Sequence, residues 1–240
     1  VLRNIKSWNG HLAADNSAAS LYEAFVQCLA RHLLEPRLGD LTDHFMGKGI
    51  TPILSESSLL SERCREWIDH LLDHPDSHWW DLGQGETCQQ QALLALRAAV
   101  DLLKSKLGPS YEDWAWGKLH TMTLAHTLCA KKPLDRLFNK GPFPVGGNGD
   151  TIWCTLATTY SLDSGPMVGP PFRYIADLSD LSRSLGQLLP GQSGQPASPH
   201  YADNIRPWLA GEYHPMLYHR QDVEAQSEAT LTLLPPLPFA

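Results

Sequence analysis

The sequence predicts an α+β chain, with a mainly helical region over residues 1–132 followed by a strand-and-loop region over residues 133–240. Three observations lead there. Apolar residues recur at helical spacing in separate stretches between residues 17 and 107. Glycine and proline become dense between Gly141 and Gly149. Runs rich in β-branched and aromatic residues then follow, the composition of strands.

The elements follow in order. Asp15, Asn16 and Ser17 are cap candidates ahead of a helix over 17–35, with Leu21, Phe25, Cys28, Leu29 and His32 as its stripe and Pro36 as its stop. A second helix over 57–74 carries Leu60, Cys64, Trp67, Ile68 and Leu71 and ends before Pro75. The third, over 88–107, is the most regular. Leu93, Leu96, Val100, Leu103 and Leu107 form its stripe, Thr87 and Gln90 have capping-box spacing, and Gly108-Pro109 ends it. A shorter helix is expected around 114–129. Strands are expected over 151–159 and 172–177, with a last short one at 231–234, a turn-rich stretch from Pro190 to Pro199 and a tail at Pro235 to Pro238. So few strands cannot make an independent sheet with its own core. Together with the start at Val1 rather than Met, this predicts a piece of a longer polypeptide, produced by processing or truncation.

The 240 residues carry a formal net charge of -7, and no basic face is available for phosphates, which excludes a nucleic-acid binder. No apolar run approaches bilayer length, and no basic start followed by an apolar stretch reads as a signal peptide. The five cysteines, Cys28, Cys64, Cys88, Cys129 and Cys154, are irregularly spaced, and Cys28, Cys64 and Cys129 sit among apolar neighbours as buried thiols would.

Four places attract a chemical reading. Gly191-Gln-Ser193-Gly194-Gln195 approaches the strained turn that exposes a serine nucleophile, with His200 and Asp203 close by. The final glycine of that motif is missing, and Pro196 forbids the helix that must follow, so a hydrogen-bonded turn is expected instead. His70, His74 and His78 are spaced by four, as zinc ligands on one helix face would be, but Pro75 interrupts the helix and Asp69, Asp73 and Asp76 make the segment a solvated end. Gly146-Gly-Asn148-Gly-Asp150-Thr151 is glycine-rich but precedes a strand where a phosphate cradle follows one, so a tight turn is expected. Trp114 and Trp116 read as core anchors with paired indole N–H groups, beside His120 and His126, which have no nearby carboxylate or nucleophile in sequence.

The whole chain resembles the C-terminal portion of the penicillin acylase (penicillin amidase) family. The match rests on four stretches in the family's order. They are Leu189-Pro-Gly-Gln-Ser-Gly-Gln-Pro-Ala-Ser-Pro-His-Tyr201 followed by Asp203 and Trp208; Phe138-Asn-Lys-Gly-Pro-Phe-Pro-Val-Gly-Gly-Asn-Gly-Asp-Thr151; Trp114-Ala-Trp-Gly-Lys-Leu-His120; and Leu12 to Phe25 after Trp8-Asn-Gly10. The resemblance implies an N-terminal nucleophile hydrolase, in which these strands and loops complete an αββα sandwich. In that family a precursor cuts itself and a serine becomes the first residue of the large chain. Its α-amine serves as base for its own hydroxyl, an acyl-enzyme forms on an amide carbonyl, and water releases the acid.

Val1 is not Ser, Thr or Cys, so this chain alone is expected to be inactive. The family's nucleophile, its oxyanion asparagine and, in members that bind it, the calcium ligands lie upstream of the matched stretches. No catalytic, cofactor or metal residue is therefore assigned to this numbering. The resemblance implies as partners the small chain and the N-terminal part of the large chain, with an acyl amide as substrate: a β-lactam side chain, an N-acyl homoserine lactone or another amide. It favours a periplasmic or secreted location. The alternative is a non-catalytic interaction module that binds a partner chain. The 190–201 loop is expected to be structural, with Gly191, Gly194, Pro196 and Pro199 fixing its backbone. Asn148 stands where relatives often carry Asp, with no catalytic consequence expected.

Overall fold

In the computed structural model the described residues are 5–49, 58–166 and 169–234. Val1 and the Pro235–Pro238 tail lie outside them. The chain divides into two compact units, Val1–Pro170 and Pro171–Ala240.

The first unit is built around helix α1 (Ser17–Leu38). Asn16 caps it, its side-chain oxygen accepting from the amides of Ala18 at 2.7 Å and Ala19 at 3.3 Å. The helix runs past Pro36, because a proline in the last turn removes only one terminal backbone bond, and Gly39 closes it with its amide on Glu35. The buried face of α1 is far wider than one stripe. Ala18, Ala19, Ala24 and Ala30 are buried together with Leu21, Val26, Leu29, Leu33 and Leu34, while Phe25, Cys28 and His32 are only partly covered. Small residues all around a helix let neighbours approach from several sides, and α1 is the central post of the unit.

Helix α2 (Thr42–Phe45) is one turn. Helix α3 (Ser58–Asp73) packs Cys64, Ile68 and Leu71 with Leu29, Leu33, Met46 and Trp80 in one core cluster. Helix α4 (Cys88–Leu107) has the expected ends: Thr87 and Gln90 form a reciprocal capping box, and the Gly108 amide bonds Lys104. Its buried line is Gln91, Ala95, Ala99 and Leu103. The expected stripe is rotated away from it, with Leu93 left 47% exposed and Leu96 half-buried.

The helix expected around 114–129 is absent. Two 3-10 turns (Tyr111–Asp113 and Trp116–Lys118) lead into strand β1 (Thr121–Leu124). Trp114 and Trp116 are both buried, and residues two apart cannot share a helix face, so the chain must turn to bury both. Their indole N–H groups are paired, with Gly108 carbonyl at 2.9 Å and Gly147 carbonyl at 3.0 Å. Helix α5 (Leu134–Phe138) and strand β2 (Lys140–Pro144) follow, β2 pairing antiparallel with β1 and Thr121 opposite Pro144.

Residues 151–159 do not form the expected strand; they make bends and a single bridge at Leu156. The threonines there are tied to nearby carbonyls: Thr151 Oγ1 donates to Asn148 O or Trp153 O, at 3.1 and 2.8 Å, and Thr155 Oγ1 to Gly146 O at 2.5 Å. Short hydroxyl side chains of this kind compete with a ladder.

The second unit, described by itself, holds an antiparallel sheet in the order β3-β4-β5. Strand β3 (Phe172–Ile175) lies where a strand was expected and pairs with β4 (Leu185–Leu188), Phe172 opposite Leu188. The short β5 (His214–Pro215) pairs on the other edge of β4. Helix α6 (Ile205–Ala210) buries Trp208 and ends at Gly211, whose φ of 74° is left-handed. Helix α7 (Arg220–Gln226) follows. Residues 231–234 take no regular structure, against expectation.

Candidate functional site

The chemically densest place in the chain is a buried polar cluster in the first unit. Glu23 of α1 and Arg65 of α3 form a two-pronged pair, Arg65 Nη1 on Oε2 at 2.9 Å and Nη2 on Oε1 at 3.2 Å, with side chains only 8% and 6% exposed. Asn148 Nδ2 donates to Glu23 Oε1 at 2.8 Å, and Arg65 Nε donates to Asp150 Oδ2 at 2.7 Å. Burial disfavours the guanidinium charge, yet Glu23 and then Asp150 hold its pKa above the ordinary value. The cation is therefore permanent.

The Gly146–Thr151 turn presents Asn148 and Asp150 because its own backbone is fixed. Gly147 has a φ of +79°, and a Cβ there would collide with the Trp153 carbonyl oxygen. The Gly147 amide donates to Leu12 O at 2.7 Å, and the Asp150 amide to Asn148 Oδ1 at 2.9 Å. The turn is thus tight as expected, but it serves as the hub of a charge cluster rather than the entry to a strand. Gln27 adds a bond to Tyr160 O at 2.7 Å, and Ser61 Oγ accepts from the Thr159 amide at 2.6 Å. The cluster ties two helices to two loops.

A cavity of about 20 Å³, room for about one water, lies among Glu23, Gln27, Arg65, His120 and Asn148. His120 is fully buried, stacked on Trp116 with centroids 4.4 Å apart. Thr155 Oγ1 donates to Gly146 O, so His120 Nε2 at 3.1 Å is the donor to Thr155, and Nδ1 keeps its lone pair, with no partner among the described residues. Burial pushes its pKa down to about 4. This imidazole is neutral at pH 7 and cannot activate the Thr155 hydroxyl, whose proton is already engaged.

The other sequence candidates do not assemble. In the second unit His200 Nδ1 meets Asp203 Oδ2 at 2.8 Å, as two members of a triad would, but Nε2 faces Glu228 Oε2 at 3.3 Å instead of Ser193. Ser193 Oγ accepts from the Gln195 amide at 3.1 Å. The hydrogen bonds to Asp203 and Glu228 raise the His200 pKa. His70 and His74 rings lie 4.1 Å apart, tilted by 33°, and His74 Nδ1 lies 2.7 Å from the His70 carbonyl. Among the described residues no three His, Cys, Asp or Glu side chains are placed to hold a metal ion, and the buried carboxylate of Glu23 is already committed to Arg65. His126 stacks on Phe138 at 4.6 Å and caps a 3-10 turn.

All five cysteines are free. Cys64 is buried and its thiol is pushed up to about 12 by that burial; Cys28 is half-buried and pushed up to about 11. Cys129 is half-buried on a 3-10 turn rather than on a helix.

Sequence reasoning missed Glu23, Gln27 and Arg65. One signal was available: Glu23 is the sole charged residue between Ser17 and Ala30. A lone carboxylate in so apolar a helix needs a buried partner.

Comparison with known proteins accounts for this arrangement as that of a known fold. The sequence model of the family described as penicillin amidase matches residues 2–225. The acyl-homoserine lactone acylase QuiP of Pseudomonas syringae pv. syringae is 33% identical over 238 residues, which cover 96% of this chain and 28% of that protein. The penicillin acylase 2 proenzyme of Pseudomonas sp. strain SE83 is 30% identical over 235 residues, covering 95% of this chain and 28% of that protein. In three dimensions, the thermostable penicillin G acylase from Alcaligenes faecalis superposes with a TM-score of 0.50 at 16% identity, over 99% of this chain and 42% of that one. That likeness shows a shared fold. The chain thus spans about a quarter of the length of the curated relatives it matches. With nearly all of its residues matched by the family's own pattern, the chain belongs to the penicillin amidase family.

Proposed function

We propose that the complete protein is an amide hydrolase that releases a carboxylic acid from an acyl amide, and that this chain is its non-catalytic C-terminal part. The observation that carries the reading is the family match over residues 2–225. The relatives' names supply the substrate classes: acyl-homoserine lactones first, and β-lactam side chains second. The proposed nucleophile is an N-terminal serine outside residues 1–240. Its α-amine, with an ordinary pKa near ~8, takes the hydroxyl proton as the oxygen attacks the amide carbonyl. The amine of the substrate leaves with a proton, and water then cleaves the acyl-enzyme ester to release the acid.

Two observations inside the chain support the division of labour. The Ser193 hydroxyl and the His200 ring are each hydrogen-bonded to other groups. His120, buried in the same cavity as the Glu23–Arg65 pair, gives its ring N–H to Thr155 Oγ1, whose own proton is engaged by Gly146 O. The Glu23–Arg65–Asn148 cluster then has a structural task, holding two helices and two loops in one register beneath whatever the rest of the polypeptide builds.

The test is hydrolysis of an N-acyl homoserine lactone and of a chromogenic phenylacetyl amide by the complete polypeptide and by residues 1–240 alone. Turnover of at least one substrate is expected from the first and none from the second. Turnover by residues 1–240 that Ser193→Ala abolishes would overturn the reading and restore a serine triad.

A further inference from the structure

Helix α4 carries more apolar surface than this chain covers. Its line of Gln91, Ala95, Ala99 and Leu103 is buried, but a second line is not: Leu93 is 47% and Leu94 46% exposed, and Leu96 is half-buried. Beside that second line the first unit leaves an apolar groove of about 450 Å³ between residues 5–8, α1 and α4. Ile5, Trp8, Tyr22, Phe25, Leu93 and Leu96 line it, and Lys6 stands exposed among them.

We infer that this groove seats an amphipathic helix contributed by another part of the same polypeptide. The walls dictate the occupant's chemistry. Two of them are side chains of helices whose backbone groups bond internally, and in the third, residues 5–8, the Trp8 indole N–H already donates to His11 O at 3.0 Å. Trp8 and Tyr22 rings lie 5.7 Å apart and offer apolar faces. An extended segment laid there would bury unpaired amides and carbonyls, whereas a helix arrives with its backbone satisfied. Apolar residues at i, i+3 and i+4 would meet the leucines, and an acidic residue at the flank would meet Lys6.

The source follows from length. The matched relatives are more than three times as long as the region aligned, so most of the polypeptide is still to be placed around this chain. A tethered segment competes at an effective concentration in the millimolar range for short flexible tethers, which a second copy of the chain does not reach. The inference rests on the proposed reading only in taking the chain as part of a longer protein.

The experiment places p-benzoylphenylalanine at position 93 of the complete protein, irradiates it and maps the adducts by mass spectrometry. The expected adduct is to a peptide of the same polypeptide outside residues 1–240 with apolar residues at helical spacing. An adduct to residues 1–240 of a second copy overturns the inference, as does the absence of any adduct. As a second measurement, Leu93→Asp in the complete protein is expected to lower its melting temperature by several degrees, and an unchanged melting temperature overturns the inference. Neither readout depends on turnover. A protein that hydrolyses no acyl amide yet gives the expected adduct refutes the hydrolase reading and leaves the docking intact; one that hydrolyses but gives no adduct does the reverse.

Discussion

Arg65 is the cation paired, among the described residues, with the buried carboxylate of Glu23. The two bridges it makes are not equal. Asp150 is 49% exposed, so its share is screened by water and worth little. Glu23 is buried, and breaking such a pair leaves an uncompensated charge at a cost of about 3–5 kcal/mol. Arg65→Met is therefore expected to lose about that much stability in denaturant unfolding, and Arg65→Met with Glu23→Gln to regain a large part of it. A single variant as stable as the parent would show that Glu23 finds another partner. His120 gives a pH signature. Its folded pKa is depressed to about 4 against an ordinary 6.5, so between those values the unfolded chain binds the proton and the folded chain does not. Stability is present above pH 6.5 and falls as pH drops toward 4, by about 3 kcal/mol in total. His200, whose pKa is raised, works in the opposite sense: its contribution is present below about pH 6.5 and lost as pH rises through its folded value. Unfolding measured at pH 7 and pH 4.5 should show a smaller difference for His120→Gln than for the parent; an equal difference would mean that His120 is not the group responsible. Glu23 alone carried a signal in the sequence, as the single charge in an apolar helix stretch; its partner did not, because Arg65 stands 42 positions away and charged residues on helices ordinarily face water.

At the scale of elements, local chemistry was legible and tertiary competition was not. The α4 capping box and its glycine stop are set by neighbours within four residues, and both stand where the spacing placed them. The Thr151–Thr159 run has strand composition, but Thr151 and Thr155 find nearby carbonyls first, and no ladder partner arrives. The 190–201 loop is laced by its own short polar groups, as its composition suggested: Ser193 Oγ accepts from the Gln195 amide at 3.1 Å, and Ser198 Oγ from the His200 amide at 3.2 Å. Its glycines differ in a way the sequence does not disclose. Gly194 has open space around it and no positive φ, so the strain expected there does not exist. Gly191 is the tight one, where a Cβ would strike the His200 carbonyl and lie 2.8 Å from Asp203 Oδ1. Gly191→Ala should cost about 1–3 kcal/mol, the range for overpacking against backbone, and Gly194→Ala should be close to neutral. Thermal unfolding of the two variants checks the contrast, and equal losses would contradict it.

At the scale of the whole molecule, the α+β character was legible from apolar periodicity and strand composition, and the family from four ordered stretches. In the first unit the structure gathers Glu23, Arg65 and Asp150 into a cluster that binds segments to one another, and leaves Leu93 and Leu94 of α4 exposed. Both features suit a part of a larger protein. The most direct measurement is to treat the complete protein with a serine-directed sulfonyl fluoride, confirm loss of amide hydrolysis, and locate the covalent adduct by peptide mapping. The account predicts a single adduct on an N-terminal serine outside residues 1–240. An adduct on Ser193 would contradict it.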